Sequence, residues 1–456
     1  VDVPFRIFNK NISSFHNLQG DMGAVKNKKE GTFGSFPRNF WTVIVMEFFE
    51  RGSYYSMLSI LSVYMVLSVN EGGLGFSTKS VGVITSVLFV LVYLIPILGG
   101  ALADRFGYKP TLVFAFIMMS LGYLLTGLFT SYGLIFASLI ILAVGAGFFK
   151  PVISGTIART TTEKNSGLAF GIYYWSINFG AFLFPITLVT YLKSLSTSYI
   201  FFMASIITGS LLIINFLLYK EPDKPKNVKS LKEVLGGAFA VLLDYRFVIM
   251  IVIYSGFWIL YFQMYNTVLW YLIKYVDMTP LNVPVNSFLS LFTDSPNWKF
   301  GEEHVTVINA LTIILLQLFI SNIVKNKKPL PTMITGIAFG TIGMGILAIS
   351  MNAWVFLAGL MIFSIGEMTA HPKYISYIGL IAPPDKKALY LGYSFLYGVF
   401  GGGIGPVLGG FLYSYLVEDL NKPSILWLIF SSIGVVTIIG LLLYNKFLAP
   451  KPAEAK

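Results

Sequence analysis

The sequence predicts an all-α membrane protein of twelve transmembrane helices, arranged as two pseudo-symmetric six-helix halves. Three observations predict it. The chain is 55% hydrophobic and only 12% charged, against about 25% charged in soluble domains. Apolar stretches of roughly 20 or more residues, each able to cross a hydrocarbon core as a helix, follow one another along most of its length. Glycine and proline markers of the first half recur in the second at one constant offset.

The spans fall near 40–68, 77–103, 110–130, 132–159, 166–192, 197–219, 247–276, 304–324, 331–351, 353–381, 387–417 and 424–448. The offset is 221 positions. Pro110-Thr111 recurs as Pro331-Thr332, Pro151 as Pro372, and Gly171, Gly180 and Pro185 as Gly392, Gly401 and Pro406. These residue types are tied most closely to backbone geometry. Six spans per half make the halves parallel repeats about an axis along the membrane normal. The organisation expected is a segment 1–39, a bundle 40–219, a linker 220–246 containing Glu221-Pro222-Asp223-Lys224-Pro225-Lys226, a bundle 247–448 and a tail 449–456. Residues 277–303 form a long loop between spans seven and eight, read as a solvated connection.

The formal charge of +11 is first a topology signal. One side takes Arg6, Lys10, Lys26, Lys28, Lys29 and Arg38, then Arg105 and Lys109, Arg159 and Lys164, and Lys220, Lys224, Lys226, Lys229, Lys232 and Arg246. Lys325, Lys327 and Lys328, Lys386 and Lys387, and Lys446, Lys451 and Lys456 fall on that side too. The other side holds Lys79, Lys193, Lys274, Lys299 and Lys422. The positive-inside rule then makes both termini cytoplasmic, in a multi-pass protein of the cell (plasma or inner) membrane. Basic residues spread over so many short loops argue against a nucleic-acid partner. The polar stretch 1–39 and the length of the first apolar run lead to the expectation of no cleavable signal peptide.

With no cysteine, thiolate metal sites and disulfides are excluded. His16, His304 and His371 show no metal-ligand spacing, and no Walker A loop, HExxH or GxSxG is present. The chain is therefore expected to be neither an enzyme nor an ATP-driven pump, and to need no metal or other cofactor.

The first span carries Glu47-Phe48-Phe49-Glu50-Arg51, followed by Tyr54-Tyr55. Ionisable groups at the centre of a membrane helix cost on the order of 2.5–3.5 kcal/mol each on the mildest scale, so three within five residues argue for use. Glu47 and Arg51 are spaced i,i+4 and Glu50 lies i,i+3 from Glu47, which can place all three on one face. Arg51 stands about 16 Å along the helix from Phe40, and Lys150 roughly 14 Å from Arg159. Tyr93 and Asn178 reach similar depths from Ala103 and Ser166, so polar groups from four helices converge on one slab of the membrane. Two acids beside two cations can couple protonation to anion binding: a protonated glutamate frees Arg51 or Lys150 for a carboxylate. The other reading is a static buried ion network joining helices one and four. Glu367, near the middle of span ten, suits a substrate ammonium group or a second proton site. His371 and Tyr374 share its face, with His371 read as a packing residue, and Lys373 is expected to snorkel toward the cytoplasm. Tyr54, Tyr55, Tyr93, Tyr173 and Tyr174 are candidates for the wall of a cavity.

The loop after span two, Gly100-Ala101-Leu102-Ala103-Asp104-Arg105-Phe106-Gly107-Tyr108-Lys109, resembles the signature loop of the major facilitator superfamily. Physically, Gly100 permits close helix contact, Asp104 can meet a helix N-terminus, and Arg105 and Lys109 can bind carboxylates or lipid headgroups. Glu47-x-x-Glu50-Arg51 with the tyrosine pair is similar to the ExxER motif of proton-dependent oligopeptide transporters. Gly147-Phe148-Phe149-Lys150-Pro151, Asn178 with Gly180, and Gly366-Glu367 with Pro372 and Ser376 resemble that family's segments in helices four, five and ten. The resemblance implies a proton-coupled symporter that imports di- and tripeptides by alternating access as a monomer in the lipid bilayer. It implies that Glu47, Glu50, Arg51 and Lys150 couple protons. It assigns substrate binding to Arg51, Tyr54, Tyr55, Tyr93, Lys150, Asn178 and Glu367, and conformational change to the loop with Gly100, Asp104, Arg105, Gly107 and Lys109.

The pattern departs on helices one, seven and eleven. The family's further arginine on helix one is here Leu58, and its helix-seven glutamate before Gln263 is Phe262. Both members of that expected ion pair are apolar, so neither charge is left buried alone. The family's helix-eleven tryptophan is not evident either, the nearby stretch reading Tyr393-Ser394-Phe395. A carrier of an amino-acid derivative or organic anion, a proton-coupled drug exporter and a non-transporting membrane sensor or scaffold remain as alternatives.

Overall fold

A computed structural model describes residues 33–162, 164–222, 231–383 and 386–449. Arg6, Lys10, His16, Lys26, Lys28, Lys29, Lys224, Lys226, Lys229, Lys451 and Lys456 lie outside the described residues, as do the segment 1–32 and residues 450–456. The fold is helical throughout the spans. In order, α1 is Arg38–Val66, α2 Thr78–Phe106, α3 Tyr108–Leu128, α4 Tyr132–Arg159 and α5 Ser166–Phe184. A π-turn at Pro185–Val189 passes α5 into α6 (Thr190–Lys193), and α7 covers Ser198–Leu217. Then come α8 (Leu231–Leu242), α9 (Tyr245–Phe262), α10 (Thr267–Tyr275), α11 (Thr279–Leu289), α12 (Glu303–Val324), α13 (Pro329–Ile346) and α14 (Ala353–Ile381). The chain closes with α15 (Lys387–Tyr393), α16 (Leu396–Leu412), a π-turn at Tyr413–Asp419 and α17 (Pro423–Phe447).

Among the described residues, eleven helical stretches are long and apolar enough to span a membrane. The twelfth span is α1, 29 residues long, which hydropathy misses because of what it carries. Besides Glu47, Glu50 and Arg51, it places Ser53, Ser56, Ser59 and Ser62 at three-residue intervals, all buried. Such a polar stripe can only face protein, since lipid offers it no hydrogen bonds. Within the first half, α1 packs on α5 and α7, and α3 on α4 and α7; within the second, α13 packs on α14 and α17, and α9 on α16 and α17.

The halves meet along two pairs, α2 against α16 and α5 against α12. Each pairs the second span of one half with the fifth of the other, as the repeat requires. Glycine makes the first contact possible. A Cβ on Gly82 would lie 2.5 Å from the Pro406 carbonyl oxygen, and one on Gly410 would lie 2.4 Å from that of Thr78.

Polar contacts between the halves gather at the end of the bundle that holds residues 276–302. The Ser62 hydroxyl donates to the Tyr265 carbonyl at 2.6 Å, while Trp270 Nε1 donates to the Ser62 carbonyl at 3.2 Å. Asn266 Nδ2 donates to Thr85 Oγ1 at 3.0 Å, Ser86 to Gly402 at 3.0 Å, and Thr78 to Glu418 at 3.2 Å. Lys193 bridges to Glu302 at 2.6 Å and Glu303 at 3.0 Å. These contacts join the halves at that end.

Two features of the loops differ from the sequence reading. The linker holds a helix, α8, and the 277–303 connection holds another, α11. Span seven is also broken: a 3₁₀ turn at Gln263–Tyr265 and Asn266 at φ −132°, ψ −93° separate α9 from α10. Gln263 Nε2 compensates by donating to the carbonyls of Ile259 at 2.8 Å and Gly405 at 2.9 Å.

Candidate functional site

The charged cluster of α1 is sealed inside the first half. Glu47, Glu50 and Arg51 are 1%, 0% and 3% exposed. Helical spacing points to Glu47 as the partner of Arg51, but the bidentate pair forms with the adjacent Glu50. Arg51 Nε donates to Glu50 Oε2 at 2.5 Å and Nη2 to Oε1 at 2.7 Å, whereas Nε stands 3.6 Å from Glu47 Oε1. A planar guanidinium meets a carboxylate best in this fork. Glu47 is left with one oxygen, Oε2, that has no hydrogen-bond partner, and with the Tyr173 hydroxyl of α5 facing the group. The Arg51 guanidinium also lies 4.7 Å over the ring of Tyr54.

Lys150, on α4, lies within electrostatic reach of Glu47, Glu50 and Arg51. Its ammonium has no carboxylate within ion-pair distance among the described residues and stands 5.3 Å from the Tyr93 ring. Tyr93 is a joint between the halves. Its ring packs at 5.9–6.3 Å on Phe262, Tyr397 and Trp258, and Gly398 leaves room for it. Phe262 packs with its ring tilted, at 4.4 Å, on Phe89 of α2 in the other half.

A small cavity of about 80 Å³ lies between the halves, smaller than the roughly 300–1,000 Å³ usual for an open small-molecule site. Tyr55, Tyr174, Ile177, Asn178 and Ala181 line it from the first half, and Tyr261, Tyr265, Thr306, Asn309, Ala310, Ile313 and Glu367 from the second. Glu367 is the one charged residue of this lining. Its Oε2 accepts from Asn309 Nδ2 at 3.1 Å, and that amide also donates to Ser364 at 2.9 Å. Tyr55 lies within electrostatic reach of both Arg51 and Glu367, so it stands between the cluster and the cavity.

Of the expected binding residues, Tyr55, Asn178 and Glu367 line the cavity, while Arg51, Tyr54, Tyr93 and Lys150 are set back from it. Asn309, Tyr261 and Tyr265 escaped the sequence reading. Asn309 carried a signal: an amide inside an otherwise apolar span needs a partner. His371 packs among Trp258 and Tyr397 with Tyr254 at 3.4 Å, and Tyr374 donates to the Ser394 carbonyl at 2.8 Å.

The loop after α2 also differs in detail. Asp104 does not cap α3. It accepts from Arg159 at 2.7 Å and from the Tyr108 hydroxyl at 3.1 Å, joining α2 to the end of α4. The cap comes from Glu221, past the end of α7, whose carboxylate accepts from the Tyr108 and Lys109 amides at 2.6 Å each. A carboxylate there opposes the positive helix end. Lys109 in turn donates to the carbonyls of Phe216 and Tyr219 at 3.1 Å each, and Arg105 lies 5.8 Å over the Phe106 ring. Gly107 is required at φ +107°. Gly99 makes a closer approach than Gly100: its Cβ would lie 2.9 Å from the Gly147 carbonyl oxygen, against 3.5 Å from Pro151 for Gly100. Lys373 donates to the backbone carbonyl of Lys327 at 2.8 Å, at the end of the bundle where the basic loops gather.

The sequence profile of the Major Facilitator Superfamily matches residues 41–297 and again 286–456. A di-/tripeptide transporter of Lactococcus lactis subsp. lactis (strain IL1403) is 29% identical over 284 residues, 59% of this chain and 55% of that one. The multidrug resistance protein MdtH of Proteus mirabilis (strain HI4320) is 24% identical over 408 residues, 86% of this chain and 94% of that one. Across the first curated relatives, the chain spans between about a third and about half of their length. Among solved structures, a POT family transporter in complex with 5-aminolevulinic acid superposes with a TM-score of 0.73 at 23% identity, over 92% of this chain and 98% of that one.

Proposed function

The chain belongs to the major facilitator superfamily, and from that membership we propose that it is a proton-coupled symporter importing di- and tripeptides by alternating access. One observation carries the reading. Arg51 of the buried cluster is held by Glu50 on its own helix, while Glu367 faces the cavity and accepts a hydrogen bond from Asn309. A proton on Glu50 dissolves the fork and frees the Arg51 guanidinium for a peptide carboxylate, with Lys150 as its neighbour. Glu367 then meets the peptide ammonium, and Tyr55 lies between the two ends. The empty carrier keeps Arg51 paired with Glu50, so proton and substrate enter together. Glu47, Glu50, Arg51 and Lys150 would carry the coupling, and protons, with no cofactor, would supply the driving force. The protein would work as a monomer in the cell membrane with both termini cytoplasmic, closed toward the outside in the conformation described.

The test is uptake of labelled di- and tripeptides by liposomes containing the purified chain, with and without an inward proton gradient, in wild type and Lys150→Ala. Wild type should accumulate peptide only with the gradient, and the variant should equilibrate peptide without accumulating it. Uphill uptake by Lys150→Ala would sink the mechanism.

A second reading has its own support. The cavity has aromatic walls and a single acid, which suits an organic cation, and the MdtH alignment covers more of both chains than that with the peptide transporter. A proton-coupled exporter would move cationic dyes outward and ignore peptides in the same liposomes.

A further inference from the structure

A second concavity lies on the lipid-facing surface, away from the central cavity. It is a groove of about 570 Å³ between α12 and α13, both of which pack on α14. Glycine sets its shape by drawing α13 onto α14: a Cβ on Gly336 would lie 2.5 Å from the Ala370 amide nitrogen. With α13 drawn in, α14 supplies the floor through Ile365 and Thr369. The walls are apolar, with Ile320 and Ile323 on one side and Phe339 on the other.

The mouth of the groove is basic. Lys327 and Lys328 line it and are exposed. Lys325 precedes them, and the largely buried Lys373 reaches the same turn through its bond to the Lys327 carbonyl. No carboxylate lies within ion-pair distance of any of these four lysines among the described residues. Four neighbouring cations without a counter-charge repel one another unless an anion is supplied. The depth fits as well. From Lys328 to Phe339 the groove runs about 16 Å along α13, half of a hydrocarbon core about 30 Å thick, which is one leaflet.

We propose that the groove between α12 and α13 is a binding site for an anionic two-chain phospholipid, its phosphate on Lys327 and Lys328 and an acyl chain along Ile320, Ile323 and Phe339. A one-leaflet slot open to the hydrocarbon with cations at its rim matches a lipid end to end. A soluble anion would use only the rim. Basic pockets between transmembrane helices recognise acidic headgroups in this way.

The test uses the full chain in detergent, titrated with phosphatidylglycerol or phosphatidylcholine, with bound lipid counted by native mass spectrometry and melting followed in parallel. Wild type should retain phosphatidylglycerol over phosphatidylcholine by roughly thirtyfold, as two surface lysines predict. Lys327→Gln/Lys328→Gln, on exposed positions, should bind the two lipids alike. Thr335→Trp, which fills the groove and leaves the lysines, should lose phosphatidylglycerol as well. Equal binding of both lipids by wild type, or an undiminished preference in the double variant, would overturn the proposal. So would inorganic phosphate raising the melting temperature as much as phosphatidylglycerol, since that would mean a rim site for anions without a chain in the groove.

Discussion

At the scale of residues, the fork between Arg51 and Glu50 decides what the cluster can do. Both charges are nearly inaccessible, so removing one partner leaves the other buried and unpaired, a loss of about 3–5 kcal/mol when nothing compensates. Glu50→Gln removes the charge but keeps the shape and leaves Glu47 3.6 Å from Arg51 as a substitute. The expected outcome is a folded carrier in which pH-driven peptide uptake is abolished while counterflow exchange survives. Equal loss of both activities would make Glu50 a binding or structural group. The sequence announced these charges through their cost in a membrane, but not their pairing. Helical spacing orders residues by face, which favours i,i+4 partners; a fork between adjacent residues depends on rotamers that packing selects. Glu367 was legible for the same reason as the cluster, as an acid in an apolar span. Its partner Asn309 was not singled out, because a lone amide stands out less than a charge.

At the scale of elements, the spans were legible almost to their ends because hydrophobic length is a property of sequence alone. The largest discrepancy among the first ten spans is in the ninth, where α13 ends at Ile346 rather than near 351. The helices outside the spans, α8 and α11, were hidden: each is short and lies in a segment read from composition as a connection. The capping of α3 was hidden too. Asp104 is close in sequence, but Glu221, over a hundred positions away, takes the amides, and no local pattern reports such a partner. Glu221→Ala should lower stability by about 1 kcal/mol, the usual loss when a helix start loses its side-chain acceptor. A melting temperature unchanged from wild type would show that the α3 amides find another acceptor. The crossing of α2 and α16 offers a sharper perturbation. Gly82→Leu drives a side chain against the Pro406 carbonyl, and overpacking of this kind costs about 1–3 kcal/mol. The burden falls on the arrangement described, in which the two helices touch at Gly82. Spin labels at Thr78 and Glu418 should therefore report a longer distance in the variant, and an unchanged distance would count against this contact setting the closure.

At the scale of the whole molecule, the halves are joined at one end by close-packed glycine crossings, a ring of backbone-directed hydrogen bonds and one ionic contact. That contact joins Lys193 at the end of the fifth span to Glu302 and Glu303 at the start of the eighth. Lys193→Met leaves two neighbouring buried carboxylates without a cation. Because the lysine is 31% exposed, a loss of about 1–2 kcal/mol is expected rather than the full value for a buried pair. Distances measured across this end should shift toward the open form, and an unaltered distribution would mean that packing alone holds it shut. The fork on α1 has a consequence at this scale. An ion pair strung between two helices is made and broken by their motion, so its energy varies with conformation. Here donor and acceptor are neighbours on one helix, and their effective concentration stays the same however the halves rock. Motion cannot pull the pair apart; only a proton or a competing anion can. A pair wired in this way answers to chemical occupancy and not to the relative motion of the halves.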